Sequence, residues 1–419
     1  MKKNIWIFNH YATNSYFNKG GRHYWFAENL IKNEYKPVIF CADTRHNSDD
    51  IIKVKENFDV RYSKGIPFVF VKTSHYQANG LDRIKNMISF YKNLFSTTKE
   101  YADKYGKPDI ILASSVHPLT LVAGIKIAKK FGVPCICEVR DLWPESLVAY
   151  GSLKRNSPLT RLLYKGEKWI YKNADSVIMT WEGGKEYIKD QGWEKDVDLS
   201  KFKHISNGVV IESFDENSVA NQFADNDLND KNFKNIVYAG SVRKVNNIGL
   251  LLDAAKSIQL KGYNEIRLLI YGSGTERELL IKRCKDEEIN NVVFKGHVEK
   301  KYIPYILKKA YVNILHNSST SLDKYGQSQN KFFEYLASGK CIVQTYATGY
   351  SVIERENCGI NVHVQNAEEI AETIIKVCKD EKTTNLMGHN ARLVAPSFDF
   401  GNLTRKLIYV IEETSLLKK

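Results

Sequence analysis

Short runs of β-branched and aromatic residues alternate with helical patterns along the whole chain. Near-continuous apolar runs of this kind are typical of buried parallel strands, whose crossover helices cover both faces of a sheet. The predicted strands fall into two sets, at 4–8, 38–41, 109–114, 134–139 and 176–180, and then at 235–239, 267–271, 292–294, 312–315 and 341–344. We therefore predict an α/β protein with two doubly wound, Rossmann-like domains.

The break between the two sets of strands defines the domains. Residues 212–234 are polar, rich in Asp and Asn, and without apolar periodicity, which indicates a linker. The predicted regions are an N-terminal domain over 1–205, a linker region over 206–232 and a C-terminal domain over 233–395. A final helical segment within 402–419 is long enough to return to the first domain.

The length and the apolar content agree with two domains. The chain has 419 residues, whereas single hydrophobic cores usually stop growing at about 250–300 residues. No run approaches the roughly 18 apolar residues that a membrane span needs, and a strand-like segment begins at residue 4, so we expect a cytoplasmic protein without a cleaved signal. The seven cysteines are scattered and indicate reduced, buried thiols rather than a metal site.

Most of the net charge of +13 falls within residues 1–200. Two stretches, 83–107 and 154–172, combine Lys and Arg with aromatic residues and predict basic amphipathic helices. They are either solvated helix faces or surfaces attracted to an anionic membrane. Neither contains a recognisable nucleic-acid-binding motif, so we expect no nucleic-acid partner.

The loops after the strands should carry the chemistry, because ligands of doubly wound sheets bind outside the carboxyl ends of the strands. His10 follows the first strand, and Gly20 and Gly21 precede an amphipathic helix. Adjacent glycines and free helix amides can approach an anion such as a diphosphate, or they can be plain turn chemistry.

Polar residues also follow the third and fourth predicted strands. His117 could bond a sugar hydroxyl or a phosphate, or simply cap the helix that begins at Pro118. The segment 138–146 (EVRDLWPES) crowds three carboxylates and an arginine into a short loop. Such a loop is either part of a polar cleft or a surface salt-bridge cluster.

In the second half, Gly240, Arg243 and Lys244 come directly after a strand, where cations could neutralise a leaving diphosphate in the way a metal does elsewhere. The segment 271–277 resembles a dinucleotide fingerprint, but Arg277 stands where the third glycine should be and the strand is a middle one, which excludes an NAD site.

The segment 326–340 (GQSQNKFFEYLASGK) combines a polar loop with a short helix. Lys331 and Glu334 are three residues apart and share one face of that helix. An ion pair between them would explain the two charges but not the polar loop before them. The loop therefore predicts a ligand site at the end of a strand.

Three segments carry a family resemblance: 138–146, 205–209 (ISNGV) and 330–340 (NKFFEYLASGK). Together they resemble glycosyltransferase family four, and within it the bacterial enzymes that build O-antigen, capsule and other surface polysaccharides. The likeness spans nearly the whole chain. It implies the GT-B fold, with two Rossmann-like domains facing a central cleft, retention of anomeric configuration, no metal or other cofactor, and a donor diphosphate held mainly by the C-terminal domain.

The resemblance also implies roles for single residues. Glu334 matches the second glutamate of the E-x7-E motif, which holds the donor ribose, and His117 matches the histidine near the donor sugar. The chain departs from the family in two ways: Gly326 replaces the first glutamate, and Ser241 and Asn246 replace an Arg and a Lys. Arg243 and Lys244 would be offset substitutes for that pair. The other candidates are Gly20, Gly21, Gly240, Gly272, Ser328, Asn330 and Lys331 on the donor side and His10, Arg140, Asp141 and Glu145 on the acceptor side.

The function implied is a retaining, metal-independent hexosyltransferase. It would move a sugar from a nucleotide-sugar, with a UDP-sugar favoured, to a polyprenyl-diphosphate-linked saccharide at the inner face of the cell membrane. Two alternatives stay open. A GT-B-fold epimerase would act on the nucleotide-sugar without an acceptor, and a binding subunit that lacks the first glutamate would hold the nucleotide-sugar without turnover.

Overall fold

A computed structural model describes residues 3–45, 48, 50–76, 80–115 and 117–417. The chain divides into two compact units. Unit 1 is Met1–Ser206 together with Phe400–Lys419, and unit 2 is Asn207–Asp399.

Each unit contains one sheet. The strands of unit 1 are β1 (Asn4–Phe8), β2 (Lys36–Ala42), β3 (Phe58–Ser63), β4 (Ile66–Val71), β5 (Ile110–Ser114), β6 (Cys135–Val139), β7 (Ser176–Met179) and β8 (Phe202–His204). Those of unit 2 are β9 (Lys234–Ala239), β10 (Ile266–Tyr271), β11 (Val292–Gly296), β12 (Val312–Leu315), β13 (Cys341–Gln344) and β14 (Gly359–Asn361). The strand orders are β3-β4-β2-β1-β5-β6-β7-β8 and β11-β10-β9-β12-β13-β14.

Helices connect and cover these strands. In unit 1 they are α1 (Thr13–Asn18), α2 (Arg22–Lys32), α3 (Leu81–Tyr105), α4 (Pro118–Phe131), α5 (Glu145–Ala149), α6 (Pro158–Asn173) and α7 (Gly184–Asp190). In unit 2 they are α8 (Ile211–Ala220), α9 (Asn226–Asn229), α10 (Ile248–Leu260), α11 (Arg277–Asp286), α12 (Ile303–Lys309), α13 (Asn330–Ser338), α14 (Val352–Arg355), α15 (Ala367–Lys379) and α16 (Glu381–Val394). The chain then returns to unit 1 as α17 (Phe400–Leu416).

Parallel pairing dominates both sheets, as the apolar runs predict. In unit 1, β1 pairs in parallel with β2 and with β5, and the antiparallel exception is β3 against β4. All pairs in the unit 2 sheet are parallel. The prediction of two doubly wound α/β domains is confirmed.

Four strands are absent from the sequence prediction: β3, β4, β8 and β14. Strands β8 and β14 have three residues each, which is too short for a periodic signal. The turn between β3 and β4 is a two-residue hairpin in which Lys64 (φ +46°) and Gly65 (φ +79°) are both left-handed. Such hairpins usually signal themselves by Asn-Gly or Asp-Gly, and a lysine in the first position hides this one.

The prediction of a linker over 206–232 is wrong, because residues 207–232 are folded and packed within unit 2. It contains α8 and α9, and Phe214 and Leu228 lie in the hydrophobic core of unit 2. Asp225 caps α9 and accepts hydrogen bonds from Lys295 and from Tyr271. Few apolar residues suffice here because the polar side chains are bound within the unit, which the composition alone does not reveal.

The C-terminal helix packs in unit 1, as predicted, and begins at Phe400. The Phe400 ring lies 4.7 Å from the ring of Trp25 and 5.3 Å from that of Phe26, between centroids, both on α2. Farther along, Tyr35 donates a hydrogen bond of 2.8 Å to Glu412. No helix in the described part of the chain has the length and apolar character to cross a membrane.

Replacing Phe400 by Ala should lower the free energy of unfolding of unit 1 by about 3–5 kcal/mol, because a buried aromatic side chain is lost from a closed contact. Urea unfolding followed by tryptophan fluorescence would measure the change. Tyr409→Ala on the same helix is the matched control, because Tyr409 is 65% exposed. Equal losses in the two variants would show that α17 is not held by this contact.

Candidate active site

The carboxyl ends of β1, β5 and β6 carry polar residues in unit 1. These strands are neighbours in the order β1-β5-β6 and run in parallel, so their ends lie at one edge of the sheet. His10 follows β1, His117 follows β5, and Arg140 follows β6. The structure therefore brings three of the predicted residues to the same edge.

A fully buried carboxylate lies beneath this edge. Glu138 of β6 accepts hydrogen bonds from Arg22 Nε (2.7 Å), His23 Nε2 (2.8 Å) and Ser114 Oγ (2.7 Å). Burial alone would raise the pKa of Glu138, but the charge of Arg22 and the contact with His23 outweigh it and hold the pKa well below its usual value. Asn9 Nδ2 donates to His23 Nδ1 (2.8 Å), which leaves the ring proton on Nε2 for Glu138. Glu138 is thus an ionised, saturated acceptor.

Arg22 links this cluster to residues 205 and 206, where the first segment of unit 1 ends. Its guanidinium also donates to the carbonyl oxygens of Ile205 (2.9 Å) and Ser206. Gly21, which precedes it, has φ +109° and forms the N-cap of α2, where a Cβ atom would lie 2.9 Å from Ser15 Oγ. The Gly20–Gly21 turn thus places Arg22 at the start of α2, where it reaches the buried carboxylate, a role that differs from the predicted diphosphate contact. A charged residue inside the apolar strand CICEV was the available signal for Glu138.

His10 and His117 form a buried pair. His117 Nε2 lies 2.9 Å from His10 Nδ1, and His10 stacks on Tyr11 and on Phe90. Burial, followed by the charge of Arg83, lowers the pKa of His117 to about 3, so the ring is neutral. Its Nδ1 is buried and has no hydrogen-bond partner among the described residues. His117 occupies the N-cap position of α4, but its side chain makes no capping hydrogen bond, so the capping alternative is not realised.

Arg140 is held through its backbone. Its amide donates to Ser115 Oγ (2.9 Å), and its carbonyl accepts from Thr180 Oγ1 (3.1 Å) and Trp181 Nε1 (3.0 Å). The side-chain Nε of Arg140 is buried without a hydrogen-bond partner in the described part of the chain. The charges of Arg22 and Arg140 both act to lower the pKa of Glu138, so the cluster contains two arginines and one carboxylate.

The other two acceptor-side candidates differ from each other. Asp141 is exposed. Glu145 is only 4% exposed, and its carboxylate accepts from Arg155, Tyr164 and Gln191. Glu145 thus joins α5 to neighbouring elements of unit 1, and its carboxylate is already occupied by these three side chains. Its burial follows from the fold of 145–191, which a local motif does not show.

In unit 2, Gly240 and Gly272 touch each other. A Cβ atom on Gly272 would lie 1.7 Å from the carbonyl oxygen of Gly240. The amide of Gly240 donates to Tyr271 O (2.9 Å), and that of Gly272 to Gly296 O (2.7 Å). Close packing of two strand ends therefore accounts for Gly272, and the Tyr238 hydroxyl, 2.8 Å from a Cβ atom on Gly240, accounts for Gly240. The amides of both glycines already donate hydrogen bonds.

The loop after β9 presents neutral groups inside and cations outside. Ser241 Oγ donates to Asn246 Oδ1 (2.8 Å), and Asn246 Nδ2 donates to Asn317 Oδ1 (3.3 Å). Arg243 and Lys244, the predicted diphosphate cations, are both exposed. Their position reflects the short 3₁₀ turn at 244–246, which sequence spacing does not predict.

The loop 326–330 before α13 is fixed from two sides. Ser328 Oγ accepts from the amide of Asn207 (2.7 Å), and the Ser328 carbonyl accepts from Asn207 Nδ2 (2.7 Å). On the other side, Tyr346 donates to Gln327 Oε1 (2.9 Å) and accepts from Gln329 Nε2 (2.6 Å). Gly326 has φ +99°, a conformation that a glutamate would adopt only with strain, which explains the departure at this position.

The helix α13 separates the two charges that could have paired. Lys331 Nζ donates to the carbonyl of His316 (3.1 Å) and lies 4.6 Å from the centroid of the Tyr238 ring. Glu334 lies 3.4 Å from Lys300 Nζ, which is 74% exposed. Neither charge pairs with the other, and Asn330, the first residue of α13, is exposed. The ring Nε2 of His316 lies 2.9 Å from the carbonyl oxygen of Asn247, and this contact fixes the loop after β9.

Two family models match the chain. Residues 24–213 match the model described as Glycosyltransferase Family 4, and residues 203–394 match Glycosyl transferases group 1. The chain belongs to glycosyltransferase family four. The resemblance stated from the three sequence segments is confirmed at the level of the family.

A curated relative is the poly(glycerol-phosphate) alpha-glucosyltransferase of Bacillus subtilis (strain 168). The chain is 28% identical to it over 169 residues, which are 39% of this chain and 24% of the relative. The match thus spans about a quarter of the relative's length.

Solved structures share the fold over the full length. Sucrose-phosphate synthase from Thermosynechococcus elongatus has a TM-score of 0.71 at 18% identity, covering 98% of this chain and 99% of that one. Anabaena HepE, solved in complex with UDP, has a TM-score of 0.66 at 14% identity, covering 99% and 100%. WaaG, a glycosyltransferase involved in lipopolysaccharide biosynthesis, has 0.64 at 14%, covering 97% and 99%. The GT-B prediction is confirmed.

Replacing Glu138 by Gln should destabilise unit 1 by about 3–5 kcal/mol at pH 7, because Arg22 would lose its buried countercharge. The pKa of Glu138 is lowered in the folded state, so its contribution is full above about pH 4.3, the ordinary pKa of a glutamate, and is lost as the pH falls below it. Urea unfolding of both proteins from pH 8 to pH 3 would test this.

The matched control is Glu28→Gln on α2, the helix that carries Arg22, because the partner of Glu28, Lys64, is 3.5 Å away and 66% exposed. It should cost at most about 1 kcal/mol. A difference between native protein and Glu138→Gln that stays constant down to pH 3 would contradict the assignment of an ionised Glu138.

Proposed function

We propose that this protein is a retaining, metal-independent glycosyltransferase that moves a sugar from a nucleotide-diphosphate sugar to a lipid-linked saccharide in the synthesis of a surface polysaccharide. The observation that carries the proposal is the loop 326–330, held by Asn207 and Tyr346 where it leads into α13. The amino end of a helix favours an anion, and a rigid approach to it does not have to be ordered on binding.

The donor would bind unit 2. Glu334, one turn into α13 and 22% exposed in its side chain, would hold the donor ribose. Anabaena HepE, which shares this fold, has been solved with UDP and with UDP-glucose, which supports a UDP-sugar as the first donor to test. Family four membership supports transfer rather than binding alone.

The chemistry would need no protein nucleophile. The acceptor hydroxyl attacks the anomeric carbon from the face that the diphosphate leaves, the bond from that carbon to the phosphate oxygen breaks, and the oxygen keeps the electron pair. The hydroxyl proton passes to the departing diphosphate. His117, with a neutral ring and a buried Nδ1 that has no hydrogen-bond partner among the described residues, would bond a sugar hydroxyl.

Unit 1 would receive an anionic acceptor. Arg140 Nε is buried without a hydrogen-bond partner among the described residues, and Arg22 already neutralises Glu138. A phosphate or diphosphate on the acceptor would supply the missing countercharge for Arg140. Exposed Asp141 follows Arg140 in the chain, and buried His10 lies at the same edge of the sheet.

Transfer should appear by mass spectrometry when the protein is given UDP-, GDP- or dTDP-sugars with polyprenyl-diphosphate-linked saccharides in EDTA. Glu334→Ala should reduce transfer by about 10-fold or more, because a hydrogen bond to a charged group contributes about 1.5–3 kcal/mol. Glu278→Ala, at a side chain that is 83% exposed, is the control.

Other outcomes identify the alternatives. Conversion of the nucleotide-sugar without acceptor would indicate an epimerase. Tight nucleotide binding without turnover would indicate a binding subunit, which the glycine at position 326 keeps open. Loss of all transfer in EDTA, restored by a divalent cation, would contradict metal independence.

A membrane surface is the proposed location of the acceptor. Helices α3 and α6 both pack beside α4, and each exposes apolar side chains: Leu81, Ile84 and Ile88 on α3 and Leu159 and Leu162 on α6. Leu162 is 65% exposed and Leu81 is 77% exposed. Arg161 and Lys165 lie between and beyond the leucines of α6. An apolar strip with flanking cations is suited to the headgroup region of an anionic bilayer.

The double variant Leu159→Ser, Leu162→Ser should bind phosphatidylglycerol vesicles about 10-fold more weakly than the native protein in a sedimentation assay, because two partly inserted leucines are lost. Leu260→Ser in unit 2, at a residue that is 77% exposed, is the control. Equal binding to phosphatidylglycerol and phosphatidylcholine vesicles would count against the membrane proposal.

A further inference from the structure

Lys331 is a half-buried cation without a countercharge. No carboxylate lies within 4.0 Å of its ammonium among the residues that the structure describes, and its neighbours are a carbonyl oxygen of His316 at 3.1 Å and the face of the Tyr238 ring at 4.6 Å. A desolvated charge is costly unless an opposite charge is brought to it. The carbonyl and the ring offset only part of that cost.

The position of Lys331 on its helix adds to the excess of positive charge. It is the second residue of α13, where the helix dipole already contributes a positive potential and favours anions. A lysine at a helix C-terminus would be stabilised, whereas here two positive contributions meet. Both charges point to an anion that binds at the start of α13.

The competing cations are less suited to this task. Arg243 and Lys244 are exposed, so water and salt screen their charges. Between them and the interior, Ser241 and Asn246 bond to each other and offer no charge. Lys331 is the candidate with a desolvated ammonium, where electrostatic attraction is strongest.

We propose that Lys331, rather than Arg243 or Lys244, is the cation that neutralises the donor diphosphate as it leaves. This inference rests on the proposed function, because it assigns a role within the same donor site. When the bond between the anomeric carbon and the phosphate oxygen breaks, negative charge grows on the diphosphate, and the Lys331 ammonium donates hydrogen bonds to it. No bond to the lysine forms.

A proton signature accompanies this role. Burial lowers the pKa of Lys331 to about 7, and a bound diphosphate would raise it, so binding at pH 8 takes up a proton. The neighbouring side chains do not account for this proton uptake. Burial lowers the pKa of His316 to about 4 and raises that of Tyr238, so both stay neutral at pH 8. Glu334, on the same helix, lies against Lys300.

The test is isothermal titration of the full-length protein with UDP, GDP and dTDP, and with the monophosphate of the one that binds best, at pH 8 in buffers of different ionisation enthalpy. In Lys331→Met the affinity for the diphosphate should fall about 10- to 100-fold, the affinity for the monophosphate should fall less, and the proton uptake should disappear. Lys340→Met, at a half-buried lysine beyond the other end of α13, is the matched control.

Folding is checked by the melting temperature, which should not fall in Lys331→Met because a desolvated charge is removed. Unchanged diphosphate affinity and proton uptake in Lys331→Met would overturn the inference while leaving the proposed function intact. A larger loss in the double variant Arg243→Gln, Lys244→Gln would overturn it as well. Failure of native protein to bind any of the three diphosphates would instead contradict the proposed donor site, and with it the inference.

Discussion

Parallel strand pairing is the constraint on which both units depend. A parallel sheet needs a crossover after each strand, so every strand ends at the same edge and the following loops come together there. In unit 1 this brings His10, His117 and Arg140, which are far apart in sequence, to one edge. In unit 2 it brings the loop after β9 to the end of β12, where His316 fixes Asn247. The polar chemistry of the protein follows from this arrangement and not from local sequence.

Glu138 of unit 1 and Lys331 of unit 2 are both removed from water, but in the described part of the chain only Glu138 has an opposite charge beside it. Glu138 is fully buried, but Arg22, His23 and Ser114 satisfy it, so this carboxylate stabilises the unit and needs no ligand of its own. Lys331 has a carbonyl oxygen and an aromatic ring but no countercharge among the described residues. Compensation, rather than burial, therefore marks which charge is available for a substrate.

The glycines teach a similar lesson. Gly240 and Gly272 fit a ligand-binding loop by position, yet Gly272 allows close contact between two strand ends, Gly240 leaves room for the Tyr238 hydroxyl, and each amide is already bonded. Gly326 marks a departure from the family motif, and its φ of +99° supplies the reason. A glycine in a loop indicates that the backbone needs room or an unusual angle, and only the three-dimensional surroundings show which.

The sequence by itself determined the fold class, ten of the strands and the return of the C-terminal helix, because apolar periodicity and helix length are local and survive in a single chain. It also placed the candidate residues at strand ends. The tertiary structure alone decided that 206–232 is packed within unit 2, that Glu145 is a buried link to Arg155 and Tyr164, and that Lys331 and Glu334 do not pair. Those outcomes depend on which groups meet across the fold, and the energy of a charge is set by its neighbours in space and not by its neighbours in sequence.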